Sequence, residues 1–313
     1  MRSIGCDLHR SQQTLAMLDR DTGEEVRKTR PHDGDAVRDV YASLVAPGVV
    51  GIAATGSMGW FLQLMETLGI TCHVGHPAAI RKADTRRQKH DRRDADWLLK
   101  LLVDGRCPTI WIPSTEGRDL RAWLLHGHQW VRMRTRVPNA RQAIALSHGV
   151  RRGPALWTRD GHAAMTASTL PPQTDARRTA LLAWYASLHD QVEQLDARGR
   201  AVAAERHSAS LLMTHPGVGP VTALATEVCL GDPTWFRDGK ALASDVGLIP
   251  SDYSSGSRQR LGSLSKQGNP FLRVRWCDAT LHAARLDPAL HRVYRRSWCR
   301  RAWPKRAWQP RAR

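Results

Sequence analysis

Arg2-Ser3-Ile4-Gly5-Cys6-Asp7-Leu8 decides how the first hundred residues are read. It is a short apolar run with one carboxylate, Asp7, near its end, and it reads as a strand. Gln12 to Asp19 reads as a second strand. Asp21-Thr22-Gly23 is a hairpin-type turn that returns Glu24 to Arg30 as a third. Then the period changes. Asp35 to Leu44 places Val37, Val40, Tyr41 and Leu44 at helical spacing. Val49 to Ala54 is a buried-strand run ended by Thr55-Gly56-Ser57. Trp60 to Leu68 is an amphipathic helix, Ile70 to Val74 a strand, and Asp91 to Val103 a strong helix. Hairpin strands followed by alternating helix and strand predict a mixed α/β sheet covered by helices.

The remainder reads as mostly helical. Glu116 to Leu146 is a long periodic stretch carrying Arg and Trp, interrupted near Pro138. Val150 to Pro172 is rich in turn residues and reads as a loop or insertion. Asp175 to Leu211 reads as one long helix, either a coiled-coil arm or a helix packed on its own domain. A further domain opens at Leu211 with His215-Pro216-Gly217-Val218-Gly219-Pro220 and the helix Val221 to Val228. It continues through a helix over Leu242 to Leu248, a polar turn-rich segment over Pro250 to Arg260, and a helix from Phe271 to Arg285. Arg295 to Arg313 is dominated by Arg, Trp and Pro without periodicity. It reads as a basic arm or as a frameshifted or truncated end.

The 313 residues are enough for two domains with sizeable cores. Lys and Arg number 47 against 29 Asp and Glu, a formal net charge of +18. That surplus favours a polyanionic partner, because each neutralised phosphate releases a condensed counterion. The six cysteines form no CxxC pair, which argues against a zinc ribbon or a disulfide framework. No secretory leader and no apolar run of membrane-spanning length is evident, so a cytoplasmic protein with no membrane partner is expected.

Four constellations could carry chemistry. Asp91 and Asp94, in His90-Asp91-Arg92-Arg93-Asp94-Ala95-Asp96, lie one helical turn apart on one face. With Asp7 from a strand end they form a set of hard oxygen donors suited to Mg²⁺ and phosphoryl transfer. The plain alternative is ion pairing with Arg92, Arg93 or Arg87 on a solvated helix. Gly217 and Gly219 before a helix could bring backbone amides to a phosphate, or could simply make a tight turn. Ser254-Ser255-Gly256, followed by Arg258, Arg260 and Lys266, could present a nucleophilic hydroxyl beside cations, or be a flexible loop. Arg81, Lys82, Arg86, Arg87, Lys89, Arg92 and Arg93 form a cationic tract that suits phosphates.

Taken in order, these pieces resemble the DEDD transposases of bacterial insertion sequences, in the one-ten and eleven-eleven classes, also called bridge-RNA-guided recombinases. The likeness covers roughly residues 3 to 295. It is carried by Ile4 to His9, Ala54-Thr55-Gly56, Lys89 to Ala95 and the Arg118 to Val150 stretch. In the second domain it is carried by His215 to Pro220, Gly231-Asp232-Pro233, Gly247 to Pro250, Ser254-Ser255-Gly256 and Gly262 to Pro270.

The resemblance implies a RuvC-like (RNase H-like) α/β domain over 1–105 and a helical or coiled-coil connector over 106–210. A mostly α transposase domain with a serine loop follows over 211–295, and a basic tail over 296–313. It implies that Asp7, Asp91 and Asp94 hold Mg²⁺ and that Ser255 attacks phosphate, with Ser254 the neighbour to test. The two sites combine, often between protomers. The partners implied are insertion-sequence ends, target DNA, a structured guide RNA and further copies of the chain, acting at the nucleoid. The fourth acid of the pattern is a Glu, where this sequence has Ala53. The pattern also continues past the Asp287-Pro288 helix with helical sequence unlike Ser297 to Arg313. Competing readings are a remnant that only binds DNA or RNA, and a RuvC-like nuclease that uses water.

Overall fold

β1 (Arg2–Leu8) is the centre of the first sheet, and its burial explains its place there. Ser3, Ile4, Gly5, Cys6 and Leu8 are all buried, so both faces of the strand are covered. The computed structural model describes residues 1–44, 48–83, 91–149, 159–256, 258 and 260–306. The side chains of 91, 159, 160, 162, 164 and 298–306 lie outside that description. Two compact units result, Met1–Thr115 and Glu116–Arg313.

In the first unit β2 (Gln12–Asp19) pairs antiparallel with β1, and β3 (Glu25–Pro31) pairs antiparallel with β2. After α1 (Ala36–Ala42), β4 (Gly48–Ala53) runs parallel to β1, with Cys6 opposite Ile52. After α2 (Gly59–Thr67), β5 (Thr71–Gly75) runs parallel to β4, with Ala53 opposite Gly75. The strand order is β3-β2-β1-β4-β5. Helices α3 (Pro77–Ala83) and α4 (Asp91–Val103) complete the unit. The mixed α/β sheet expected from the sequence is present, with element ends displaced by a residue or two.

Side-chain alternation sorts the two faces. Ile4, Cys6 and Leu8 pack with Val50, Ile52, Phe61, Met65 and Tyr41 in the main core. On the opposite face Ala16 packs with Ala95 and Leu99 of α4. Gly5 belongs to this second face, because a Cβ built on it meets α4 backbone. Asp7, two residues on, shares it.

The second unit is mostly helical and departs from the sequence reading in several places. α5 (Thr115–Ser147) runs unbroken through Pro138. α6 (Arg159–Ala167) lies inside the stretch read as a loop. The long helix read over 175–211 is two: α7 (Pro172–Ala204) and α8 (His207–Leu212), separated where Arg206 turns extended, φ −109° and ψ 118°. α9 (Pro220–Leu230), α10 (Gly239–Asp245) and the hairpin β6 (Pro250–Asp252) and β7 (Leu261–Leu264) follow. α11 (Pro270–Leu286) and α12 (Pro288–Arg306) close the described chain. α12 is helical through the first part of the segment read as patternless. The core gathers Leu120, Leu124, Leu224, Val228, Val246, Phe271 and Leu272. Among the described residues no helix is long and apolar enough to cross a membrane.

Candidate functional site

An open cleft of about 230 Å³ lies at the C-terminal ends of β1 and β4, lined by Asp7, His9, Ala53, Thr55, Arg81 and Asp94 among others. Asp7 reaches it from the end of β1 and Asp94 from the first turn of α4. The strand and the helix therefore bring two of the three expected carboxylates to one place. Asp91 is the first residue of α4, and its side chain lies outside the described residues. The His9 ring, Nε2, stands 3.0 Å from Asp7 Oδ2. Asp96 does not join them: its carboxylate pairs with Arg27 of β3 at 2.8 Å.

What sets this geometry is Gly5. A Cβ at position 5 would stand 2.2 Å from the Ala95 carbonyl oxygen and 2.4 Å from the Leu99 amide nitrogen. Only a residue with no side chain lets α4 lie this close on β1. Asp94, next to Ala95, is thereby brought to the cleft that Asp7 lines. The Trp97 indole N–H donates to the Ile80 carbonyl at 3.2 Å, which ties α4 to α3 beside the cleft.

Ala53 sits one step past the Cys6–Ile52 pair, beside Asp7 on the neighbouring parallel strand. It packs against the buried Ile80, Leu98 and Leu101. The cleft wall is thus apolar where the resemblance implies a Glu. Asp7 and Asp94 offer hard oxygens that suit a hard divalent cation. Among the described residues there is no group of three or more His, Cys, Asp or Glu that could hold a metal ion. Thiol chemistry is disfavoured, since burial pushes both Cys6 and Cys72 up to about 12.

In the second unit Ser254 and Ser255 lie at the exposed tip of the β6–β7 hairpin. Ser254 is committed to the turn. Its hydroxyl donates to Asp252, its amide donates to Asp252 Oδ1 at 2.8 Å, and its Oγ accepts from the Arg260 amide at 2.9 Å. These bonds hold the Asp252 carboxyl below its ordinary value, the Ser254 hydroxyl being the first cause. Ser255 exchanges backbone bonds of 3.3 Å with Arg258 around Gly256, whose φ is 59°. Among the described residues its hydroxyl has no hydrogen-bond partner. The hairpin rests on a backbone contact: Cβ atoms built on Gly247 and Gly268 would meet the Gln267 and Asp245 carbonyl oxygens at 1.9 and 1.8 Å. Asn269 caps α11 by accepting from Phe271 and Leu272.

The cationic residues divide. Arg81 and Lys82 lie exposed in the last turn of α3, Arg92 is exposed and Arg93 half-buried on α4. Arg86, Arg87 and Lys89 lie outside the described residues. Arg258, Arg260 and Lys266 are exposed around the serine hairpin. Gly217 has φ 84°, and a Cβ there would stand 2.4 Å from the Ala279 carbonyl of α11, so close packing is one reason for a glycine at this position. A Cβ on Gly219 would meet nothing within 4 Å among the described residues; Gly219 is the N-cap of α9.

Two family models match the chain. One, described as Transposase (the DEDD type of IS110), covers residues 4–147, and the other, described as Transposase IS116/IS110/IS902 family, covers 209–295. The transposase for insertion sequence element IS1328 of Yersinia enterocolitica is 30% identical over 74% of this chain and 70% of its own length. The chain belongs to the IS110 family of DEDD transposases. A probable family 20 transposase of Pseudomonas aeruginosa is 29% identical over 90% of this chain and 82% of its own. The transposase for IS1111A of Coxiella burnetii is 26% identical over 91% and 77%. This transposase is therefore a DNA transposase/recombinase, and transposases of the DEDD type generally use a divalent metal. Two residues that shape the cleft, His9 and Gly5, carry no motif of their own. His9 stands two residues after Asp7, just past the end of β1, where only the turn into β2 sets its direction. The Gly5 contact spans ninety residues of chain and left no local signal.

Proposed function

We propose that this transposase cleaves and rejoins DNA strands with a carboxylate cleft in its first unit and a serine in its second. The observation that carries the reading is the single cleft receiving Asp7 from β1 and Asp94 from α4. Strand order and directions support an RNase H-like, RuvC-like unit over 1–105. A helical connector over 106–210 and a serine-bearing domain over 211–295 complete the organisation.

Asp7, Asp91 and Asp94 would hold the divalent ion, Mg²⁺ by the hardness of their oxygens. Such an ion, when bound, supplies Lewis-acid polarisation of a phosphoryl oxygen. His9 keeps the Asp7 carboxylate turned along the cleft. Arg81, on the cleft wall, orients the strand through a backbone phosphate. Ser255 is the nucleophile: its Oγ bonds to phosphorus, one P–O ester bond of the strand breaks, and the proton passes to the departing sugar oxygen. The ester retains the bond energy needed for rejoining. Ser254 shapes the turn that presents Ser255. Arg258, Arg260 and Lys266, with Arg86, Arg87, Lys89, Arg92 and Arg93 in the first unit, track phosphates. Lys82, Gly217 and Gly219 are assigned to the same role.

The charge of +18 suits two nucleic acids at once, DNA and a structured guide RNA whose base pairing selects the sequence. A homo-oligomer working at the nucleoid in the cytoplasm completes the proposal. A strand-exchange assay on the cognate element with its flanking RNA tests it. Native chain should form a covalent protein–DNA adduct that Ser255→Ala, Asp7→Asn and Asp94→Asn lose. Product without any adduct, surviving in Ser255→Ala, would mean hydrolysis by water instead. Ala53 favours a second reading, a chain that grips nucleic acid with its chemistry weakened. It predicts salt-sensitive binding without divalent-dependent product.

A further inference from the structure

We propose that Trp60, at the same end of the sheet as the Asp7–Asp94 cleft, is a stacking platform for an unpaired DNA base. This rests on reading that cleft as a DNA site. Trp60 is the second residue of α2 and is 42% exposed, although its neighbour Phe61 is fully buried. Two edge-on contacts fix its ring: His32 at 4.9 Å and 70°, and Phe61 at 5.6 Å and 87°. Phe61 in turn meets the buried Tyr41 at 5.4 Å, so the indole is rooted in the core.

The same contacts tie it to the cleft. The His32 amide donates to the Ser11 carbonyl at 2.8 Å, and its Nδ1 lies 3.3 Å from the Arg10 carbonyl. That turn carries His9, which stands 3.0 Å from the Asp7 carboxylate. On the other side Thr55, in the loop that leads into α2, lines the cleft itself. Trp60 does not line the cleft, but a strand with a phosphate in the cleft that ran past the His9–Ser11 turn towards His32 would meet its solvent-facing ring. Arg10 and Arg30 are exposed on the adjoining turn and strand, available to neighbouring phosphates.

The chemistry selects the partner. Every nucleobase has a π face, so an indole takes any base, but a base within a duplex is already stacked on both sides. The platform therefore favours a strand opened at the site of exchange. A rigid indole loses little conformational freedom on binding, unlike a mobile surface chain.

The test uses the full chain and a single-stranded DNA oligomer carrying 2-aminopurine, whose fluorescence is quenched by stacking. Native chain and Trp60→Phe should bind and quench. Trp60→Leu, which keeps an apolar side chain against Phe61, should lose the quench and weaken binding roughly 5- to 150-fold, the span of one base–aromatic stack. Its thermal midpoint should hold, and so should the slope of affinity against salt, since no charge is removed. Binding and quench equal to native in Trp60→Leu would overturn the proposal. Duplex DNA displacing the probe as well as single-stranded DNA would also overturn it, and so would an RNA strand that binds tenfold tighter than DNA. Asp7→Asn separates the two readings: it should abolish cleavage and leave the quench intact.

Discussion

Replacing Gly5 with alanine tests the geometry on which the cleft depends. The new methyl would stand 2.2 Å from the Ala95 carbonyl oxygen, 2.4 Å from the Leu99 nitrogen and 3.0 Å from the Leu99 Cα. A carbon settles against a carbonyl oxygen at about 3.3–3.6 Å, so α4 must retreat from β1 by roughly 1 Å. The obstructing atoms are backbone on both sides, and no rotamer change relieves them. Overpacking of this kind costs about 1–3 kcal/mol. Asp94 rides on α4 beside Ala95 and moves with it, and a misplacement of about 1 Å can cost roughly 10²-fold in rate. Gly51→Ala is the comparison. There the methyl meets only the Leu102 side chain, at 2.6 and 2.9 Å, which can swing aside. It should cost about 1 kcal/mol, at the low end of the overpacking range, and leave cleavage within about twofold. Denaturant midpoints and divalent-dependent cleavage of cognate ends are the two measurements. Gly5→Ala with native stability and native cleavage would refute the argument. Equal losses in the two variants would also refute it.

The serine hairpin yields a paired expectation: Ser255→Ala should abolish the covalent protein–DNA adduct, whereas Ser254→Ala should keep it and loosen the turn by about 1 kcal/mol. Gel mobility after denaturation reads the adduct. The Asp252 carboxyl is depressed in the folded chain, so its contribution is present above the ordinary value of about 3.9 and is lost as pH falls through the folded value. An NMR titration should find Asp252 below the usual carboxylate range and find it shifted back up in Ser254→Ala. Gly217→Ala combines a φ of 84° with a methyl 2.4 Å from the Ala279 carbonyl, and should cost about 2–4 kcal/mol by chemical denaturation. Ala53→Glu should lower the divalent-ion concentration needed for half-maximal cleavage, and an unchanged requirement would remove position 53 from the ion's surroundings.

Legibility in the sequence followed the range of the forces involved. α4 is legible to the residue because its five buried apolar side chains, Ala95, Leu98, Leu99, Leu101 and Leu102, recur at helical spacing. Pro138 predicts an interruption in α5, because an interior proline costs about 3 kcal/mol. The helix continues because Val137, Arg141, Ile144 and Ala145 are buried on the flanking turns, an offset that no local pattern announces. The break between α7 and α8 has no Gly or Pro to mark it. It is held where Arg206 pairs with Glu227 at 2.6 Å and with Glu116, partners distant in sequence. α6 carries little local signal: among the described residues Met165 packs it on Ile144 and Ala145, and Arg178 of α7 donates to its Met165 and Thr166 carbonyls, both contacts from distant sequence. In the site, the carboxylates were visible by residue type and spacing, and so was the serine turn. The distinction between its two serines was not, because it depends on how Asp252 and Arg260 fold back onto Ser254.

Ala53 removes charge from the cleft while leaving its frame in place. β1 and β4 remain paired up to Cys6 and Ile52, so a carboxylate at position 53 would emerge beside Asp7, about one strand spacing of 5 Å away. Two carboxylates that close repel, each raising the other's proton affinity, and the repulsion is relieved by a cation held between them. With alanine the repulsion is absent, and so is the corresponding gain on binding a divalent ion. The side chain instead packs against Ile80, Leu98 and Leu101, extending the apolar contact by which α3 and α4 lie on the sheet. That packing firms the same helices that carry Arg81 and Asp94. The chain therefore keeps Asp7 and Asp94 on one cleft while lowering the negative field that would hold an ion between them. On the proposed reading, nucleic-acid binding draws on the +18 charge rather than on the acids, and alanine at position 53 does not oppose it. Affinity for DNA and affinity for the divalent ion then rest on separate residues. Salt-dependent DNA binding that persists while divalent-dependent cleavage is lost is the expected signature, and loss of both together would count against the proposal.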